Sequence, residues 1–323
     1  MSSTTTTAKR ELASSPALSP LLAALQRDGF VRVPSLLNHL QLATLRTATE
    51  TITQVARKGE WPHLRTVPKQ FPPWPKTPPG EKDGSIWGVQ HLLHPSMPGR
   101  NAFAELYFSD ALLDIVKELV GQKDTDNGDD VLVMELFNLL VSPTGKRDFE
   151  LCWHRDDVRP DLDPEEEQRQ LDEKSPKGRQ LHAQYNIALY EDSSLIVVPG
   201  SHRRTRTQAE REAEPCAPEL PRQVTVTLHA GDGLFYDSNI LHRGVYKSID
   251  AGTDTGRMTL HGSVGLVGRG KQRARQVLQH GVGEWIDKAK FELGGKVGER
   301  AEAMRERLVE MGRGDDVGYS LEG

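Results

Sequence analysis

Five short apolar segments between residues 180 and 267 constrain this chain most: QLHAQYNIALYED, SLIVVPG, QVTVTLHAGDGLFYD, NILHRGVY and RMTLHGSVGLV. Glycine-containing turns separate several of them. In Val224-Thr225-Val226-Thr227-Leu228 the apolar residues alternate with hydroxyl residues, which puts them on one face of a strand. Short strands at close spacing predict a β-sandwich or barrel. VLVMELFNLLV (131–141) adds a mostly apolar, partly β-branched run that reads as a buried strand.

Helix signals flank this β region. Ser19 can cap a helix that starts at Pro20 and stops at Gly29, and a short strand, Phe30 to Val33, follows. A second helix begins near Asn38 with Leu42, Leu45, Ile52 and Ala56 along one side. A third runs from Ser109-Asp110 to Gly121. Near the carboxyl end, Ala301, Met304, Leu308 and Met311 form an apolar stripe. It is expected to pack on the same chain, with an oligomer contact as the alternative. Residues 60–80 hold seven prolines and read as an extended covering loop. Residues 155–179 hold nine acidic and six basic residues and read as a solvated loop. Both loops are candidate lids over a site.

The division expected is a disordered start (1–17), one domain (18–270) and a helical extension packed on it (271–323). With 41 Lys+Arg against 46 Asp+Glu the net charge is -5, which argues against a nucleic-acid partner. No apolar stretch approaches the roughly 20 residues that span a bilayer. Two cysteines, Cys152 and Cys216, are expected to form neither a disulfide scaffold nor a CxxC zinc site. Cys152 reads as a small buried apolar residue. A reducing compartment, cytoplasmic first, is expected, with mitochondrial or peroxisomal placement as alternatives. Leu321-Glu322-Gly323 is not an S-K-L-type address.

The chemistry concentrates in three places. On a strand, His154 and Asp156 point to one face and offer an imidazole nitrogen and a carboxylate oxygen. His242, 88 residues later, follows a Gly231-Asp232-Gly233 turn and a short strand. Antiparallel strands can bring it beside the first pair. Two histidines and one carboxylate on one face of a metal leave the other positions open, the triad of non-haem Fe(II) oxygenases. Arg257 and Thr259 share a face on the next strand. A buried arginine needs an anionic partner, and a 2-oxo acid with a distal carboxylate would supply it.

These residues carry a resemblance. CWHRDD (152–157), EDSSLIVVPGSHRR (191–204), GDGLFYDSNILHRG (231–244) and DGFVRVPSLL (28–37) resemble, in order, segments of the phytanoyl-CoA dioxygenase family of Fe(II)/2-oxoglutarate-dependent oxygenases. The resemblance implies a double-stranded β-helix (jelly-roll, cupin-like) core, mainly β with flanking α. It implies iron held by His154, Asp156 and His242, and 2-oxoglutarate anchored by Arg257 with Thr259. O₂ is the second cosubstrate and ascorbate an optional reductant. The interval from His242 to Arg257 is 15 residues, longer than the family's usual one, with 247–256 as an extra turn. Gln184 and Asn186 are further cosubstrate candidates, and Trp87, Gln90 and His91 are candidates for the substrate pocket.

The activity implied is hydroxylation or desaturation of an unactivated carbon in a small organic substrate, an acyl-CoA or a secondary metabolite, with release of succinate and CO₂. The alternatives are a cupin-like zinc or manganese enzyme of redox-neutral chemistry, or a non-catalytic jelly-roll binding protein. Neither needs a carboxylate anchor behind the metal, so Arg257 separates them from the oxygenase.

Overall fold

The alternating runs fold into two antiparallel sheets. The computed structural model describes residues 18–71, 85–123, 125, 128–176, 180–250 and 256–313. The expected disordered start, most of the proline cluster and half of the 247–256 turn lie outside these residues.

The strands are β1 (Phe30–Val33), β2 (Leu64–Thr66), β3 (Ile86–Val89), β4 (Leu132–Val141), β5 (Phe149–Glu150), β6 (His182–Ala188), β7 (Asp192–Val197), β8 (Val224–Leu228), β9 (Gly233–Tyr236), β10 (His242–Tyr246) and β11 (Met258–Leu266). The larger sheet has the order β1-β9-β6-β11-β4-β3-β2, and the smaller β5-β10-β7-β8. From β4 onward the chain passes back and forth between sheets, as in a jelly roll. Ala188, Leu234 and Tyr236 of the larger sheet share an apolar cluster with Val197, Val226 and Leu228 of the smaller. A second cluster joins Trp87 and Leu140 to Phe149, Leu151 and Tyr246. Full burial of such side chains stabilises by roughly 1.5–3 kcal/mol each, which holds the sheets face to face.

Helices cover the outer face of the larger sheet. In α1 (Pro20–Asp28) the Ser19 hydroxyl caps the Leu22 N–H, and Gly29 ends the helix at φ 82°. A Cβ at Gly29 would run into the His202 ring, so glycine is required there twice over. In α2 (His39–Arg57) Asn38 and Gln41 form a capping box. Its inner side buries Leu45, Ile52 and Ala56. The third expected helix is α4 (Asp110–Leu119), capped by Ser109. It is preceded by α3 (Arg100–Tyr107), which the sequence reading did not anticipate.

Residues 155–179 correct the expectation of a solvated loop. They contain α5 (Pro164–Lys174), capped by Asp163, and its Glu167 is fully buried. Next come α6 (Gln208–Glu212), α7 (Lys271–Gln279) and α8 (Gly295–Gly312). The α8 stripe lies on its own chain: Ala301, Met304 and Leu308 are buried. Arg300 fixes the helix through Asp110, Asp129 and the Phe108 carbonyl. Met311, the last residue of the stripe, is part-buried. Among the described residues no helix is long and apolar enough to cross a membrane.

The cysteine expectation is also corrected. Cys152 is bonded to Cys216 across 64 residues, with Cα atoms 4.3 Å apart. It is a cross-link beside the site, not an isolated apolar filler.

Candidate metal centre

His154 and His242 face each other across an antiparallel bridge. Their backbones exchange both hydrogen bonds, His154 N–H to the His242 carbonyl at 3.0 Å and the reverse at 3.1 Å. This pairing aligns the two side chains, with ring centroids 4.2 Å apart. The Asp156 N–H bonds the Ser238 carbonyl at 2.9 Å, so the carboxylate joins the same face. Asp156 Oδ1 lies 3.5 Å from His154 Nε2 and 3.7 Å from His242 Nε2. All three ligand atoms fall within 4.8 Å of one another.

The neighbours aim these ligands. His154 Nδ1 donates to the Cys152 carbonyl at 2.7 Å, and His242 Nδ1 donates to the Ile240 carbonyl at 2.8 Å. Both Nε2 lone pairs are thereby turned to the common point, the tautomer a metal needs. Gln184 Nε2 donates to Asp156 Oδ2 at 2.8 Å and to the Tyr236 hydroxyl at 2.9 Å, leaving Oδ1 for the centre. Burial pushes the Asp156 carboxyl up, but His242, His154 and Gln184 outweigh it and hold the group ionised. Burial and the neighbouring His154 lower His242 to about 4, against the pull of Asp156. Two imidazoles beside a carboxylate form a donor set that fits a divalent transition metal.

Turn chemistry delivers His242. The Asp237 side chain caps the Asn239 N–H at 2.7 Å, and Ser201 Oγ accepts from the Leu241 N–H at 2.7 Å. The expected strand under His154 and Asp156 is only the isolated bridge to His242, since β5 ends at Glu150. Arg155, between the two ligands, binds the Ser201 and Arg204 carbonyls and the Asn239 carbonyl, and so ties the His154 segment to the turn that presents His242. Glu167 neutralises it in a cluster that also takes Arg206 and Arg211.

The triad opens into a cavity of about 1270 Å³ between the sheets. Arg257 lies in its wall. The sequence argument that only a cosubstrate could balance this arginine is corrected: Arg257 Nε donates to Asp192 Oδ2 at 2.7 Å. Thr259 Oγ1 donates to the same oxygen at 2.6 Å and is fully buried, so Thr259 orients the pair from behind. Burial alone would lower the Arg257 guanidinium, but Asp192 and Tyr246 raise it. Its Nη1 is buried with no hydrogen-bond partner among the described residues. An oriented arginine with an orphaned donor fits a carboxylate ligand.

Of the pocket candidates, Trp87 lies in the cavity wall, stacked on Tyr246 with centroids 5.7 Å apart. Gln90 and His91 do not line it. Gln90 accepts from the Trp61 indole, and His91 bridges the His280 carbonyl and the Trp285 indole. His91 thus packs between the β core and the carboxyl-terminal segment. Asn186, named with Gln184 as a residue that could reach the cosubstrate, lies in the wall bonded to His261 at 2.9 Å; sequence reasoning missed His261 and Asp192, which stands in the quoted EDSS turn. The register signal was present, since Asn186 and His261 sit opposite each other on β6 and β11.

A family described as phytanoyl-CoA dioxygenase matches residues 25–245. The chain belongs to this family. The matched region contains His154, Asp156 and His242 but ends before Arg257 and α7. No curated protein matches the sequence. Solved structures share the fold at low identity. EctD from S. alaskensis, with 2-oxoglutarate and 5-hydroxyectoine, is 18% identical over 80% of each chain, with a TM-score of 0.52. HygX from Streptomyces hygroscopicus, with nickel and 2-oxoglutarate bound, is 18% identical over 78% of this chain and 88% of that one, with a TM-score of 0.52. AviO1 from Streptomyces viridochromogenes is 19% identical over 78% of this chain and 96% of that one, at 0.50. Family and fold are those of Fe(II)/2-oxoglutarate-dependent oxygenases.

Proposed function

We propose that this protein uses Fe(II), 2-oxoglutarate and O₂ to hydroxylate or desaturate an unactivated carbon of a small organic substrate. The observation that carries the reading is one cavity lined by both the convergent His154/Asp156/His242 set and a buried arginine with an unpartnered donor. The bound metal and cosubstrate would supply the oxidant, with 2-oxoglutarate giving succinate and CO₂ as O₂ is consumed.

The chain's own residues bind, orient and shield. His154, Asp156 and His242 would hold the metal by one face, leaving the cavity side open. Gln184 keeps Asp156 turned toward it. Arg257 would take the distal carboxylate of 2-oxoglutarate through Nη1, held in place by Asp192 and Thr259. The walls of Trp87, Leu140 and Leu151 restrict water around the reacting carbon. A redox-neutral metal enzyme or a binding module would have no use for such an anchor, which favours the oxygenase over both.

The test is succinate formation from 2-oxoglutarate by the purified full chain with Fe(II) in air. It is expected to cease on chelation and in His242→Ala. Succinate formation indifferent to chelation would overturn the reading.

A further inference from the structure

The family match stops at residue 245, yet one wall of the cavity is built by α7, well beyond it. Gln272 and Gln276 of α7 and its C-cap residue His280 recur at intervals of four, which puts them in one row, and all three line the cavity. No side-chain hydrogen bond of any of the three occurs among the described residues, although each can both donate and accept. Burial keeps the His280 imidazole neutral, at about 4.

The helix that carries this row is held firmly. Arg273 pairs with buried Glu135 through two bonds, at 3.0 and 2.6 Å. The His280 carbonyl accepts from His91 Nε2 at 2.9 Å, and His91 Nδ1 accepts from the Trp285 indole at 3.1 Å. Ala274 and Val277 bury the opposite side. A fixed row of unpartnered two-way hydrogen-bonding groups therefore borders the same cavity as the metal set. The β core and the loop after β2 supply a different surface to that cavity, with Trp87, Leu140 and Leu151 from the core side and Phe71 from the loop.

We infer that α7 is the substrate-recognition wall and that the substrate is a compact, multiply hydroxylated molecule with one apolar face. The inference rests on the oxygenase reading for the location of the reacting carbon. A hydroxyl matches a carboxamide or neutral imidazole in either direction. The apolar face of a ring fits the aromatic and leucine surface. An acyl chain laid along the same wall would strip water from Gln272, Gln276 and His280 and return no bond, at about 1–3 kcal/mol for each group. The pocket assignment moves with this: His91, expected to touch substrate, instead holds the segment that does.

The experiment is titration calorimetry on the full chain loaded with Ni(II) and 2-oxoglutarate, using methyl α-glucopyranoside, myo-inositol and palmitoyl-CoA as probes. At least one hydroxylated probe is expected to bind, and palmitoyl-CoA is not. Gln276→Leu and Gln272→Leu should each weaken that binding about tenfold, one lost hydrogen-bonding group at about 1.4 kcal/mol per decade. Thermal unfolding of each variant shows that the fold persists. Binding of palmitoyl-CoA alone, binding of neither hydroxylated probe, or binding unaffected by either substitution overturns the inference. Iron-dependent succinate formation is measured separately, so failure of the oxygenase reading is told apart from failure of this one.

Discussion

Glu167→Gln is the substitution that most sharply tests how the metal set is held. The wild-type carboxylate is fully buried and accepts from Arg155 Nε at 3.2 Å, from the Arg206 N–H at 3.1 Å and Nη1 at 2.8 Å, and from Arg211. Glutamine keeps the shape and removes the charge. Arg155 and Arg206 then remain almost wholly buried, with side chains 0% and 5% exposed, and no anion among them. Breaking a buried pair from one side costs about 3–5 kcal/mol. Arg211 is 24% exposed and can relax into water, which favours the lower end. A loss of about 3 kcal/mol is a large part of the roughly 5–15 kcal/mol by which a domain is stable. Arg155 also fixes the Asn239 carbonyl just before His242, so both halves of the metal set should loosen. Removing such an outer partner typically lowers metal affinity 10–100-fold. Urea unfolding of the metal-free chain should show the lower midpoint, and titration with Co(II) the weaker binding. A variant with the wild-type midpoint and wild-type metal affinity would refute the argument.

Three further outcomes are expected. Gln184→Leu should weaken metal binding about tenfold while leaving the fold intact, because Asp156 Oδ2 loses its donor; equal Co(II) affinity would count against that role. Arg257→Ala should weaken 2-oxoglutarate binding roughly 10–100-fold, the worth of a charge-assisted bond, with little change in binding of the metal alone. Equilibrium dialysis separates the two. Burial lowers His91 to about 3, and His202 and His280 to about 4. Below the unfolded value near 6.5 the unfolded chain takes up protons that the folded chain refuses, so stability should fall as pH drops from about 6.5 to about 4. Urea midpoints that stay level over that window would contradict these burials.

What was legible in the sequence was mostly local. Ser19, Asn38 and Ser109 cap helices because capping is a matter of neighbouring residues. Period-two alternation marked β8, and the spacing of His154 and Asp156 fixed their common face. Their meeting with His242 required the bridge across 88 residues, which the order of motifs suggested and the pairing supplies. Less legible were features whose partners lie far along the chain. Glu167 looks like one more charge in an acidic run, and only Arg155 at the start of that run, with Arg206 and Arg211 from another segment, makes it a buried anchor. Arg257 was singled out, but its partner Asp192 is 65 residues away on another strand. Cys152 and Cys216 carry no spacing signal of their own. His91 has aromatic neighbours, as pocket residues do, but they are His63 and, from the carboxyl-terminal segment that it secures, Trp285.

The central claim is that one Fe(II) and one 2-oxoglutarate bind together at His154, Asp156 and His242 with Arg257 behind them. Anaerobic titration of Fe(II) into the chain with 2-oxoglutarate measures this directly, through the weak visible charge-transfer absorption of a chelated 2-oxo acid. One equivalent of iron should saturate the band, His154→Ala should abolish it, and Arg257→Ala should require much more 2-oxoglutarate to reach it. No band in the wild-type chain, or a band that survives His154→Ala undiminished, would contradict the account.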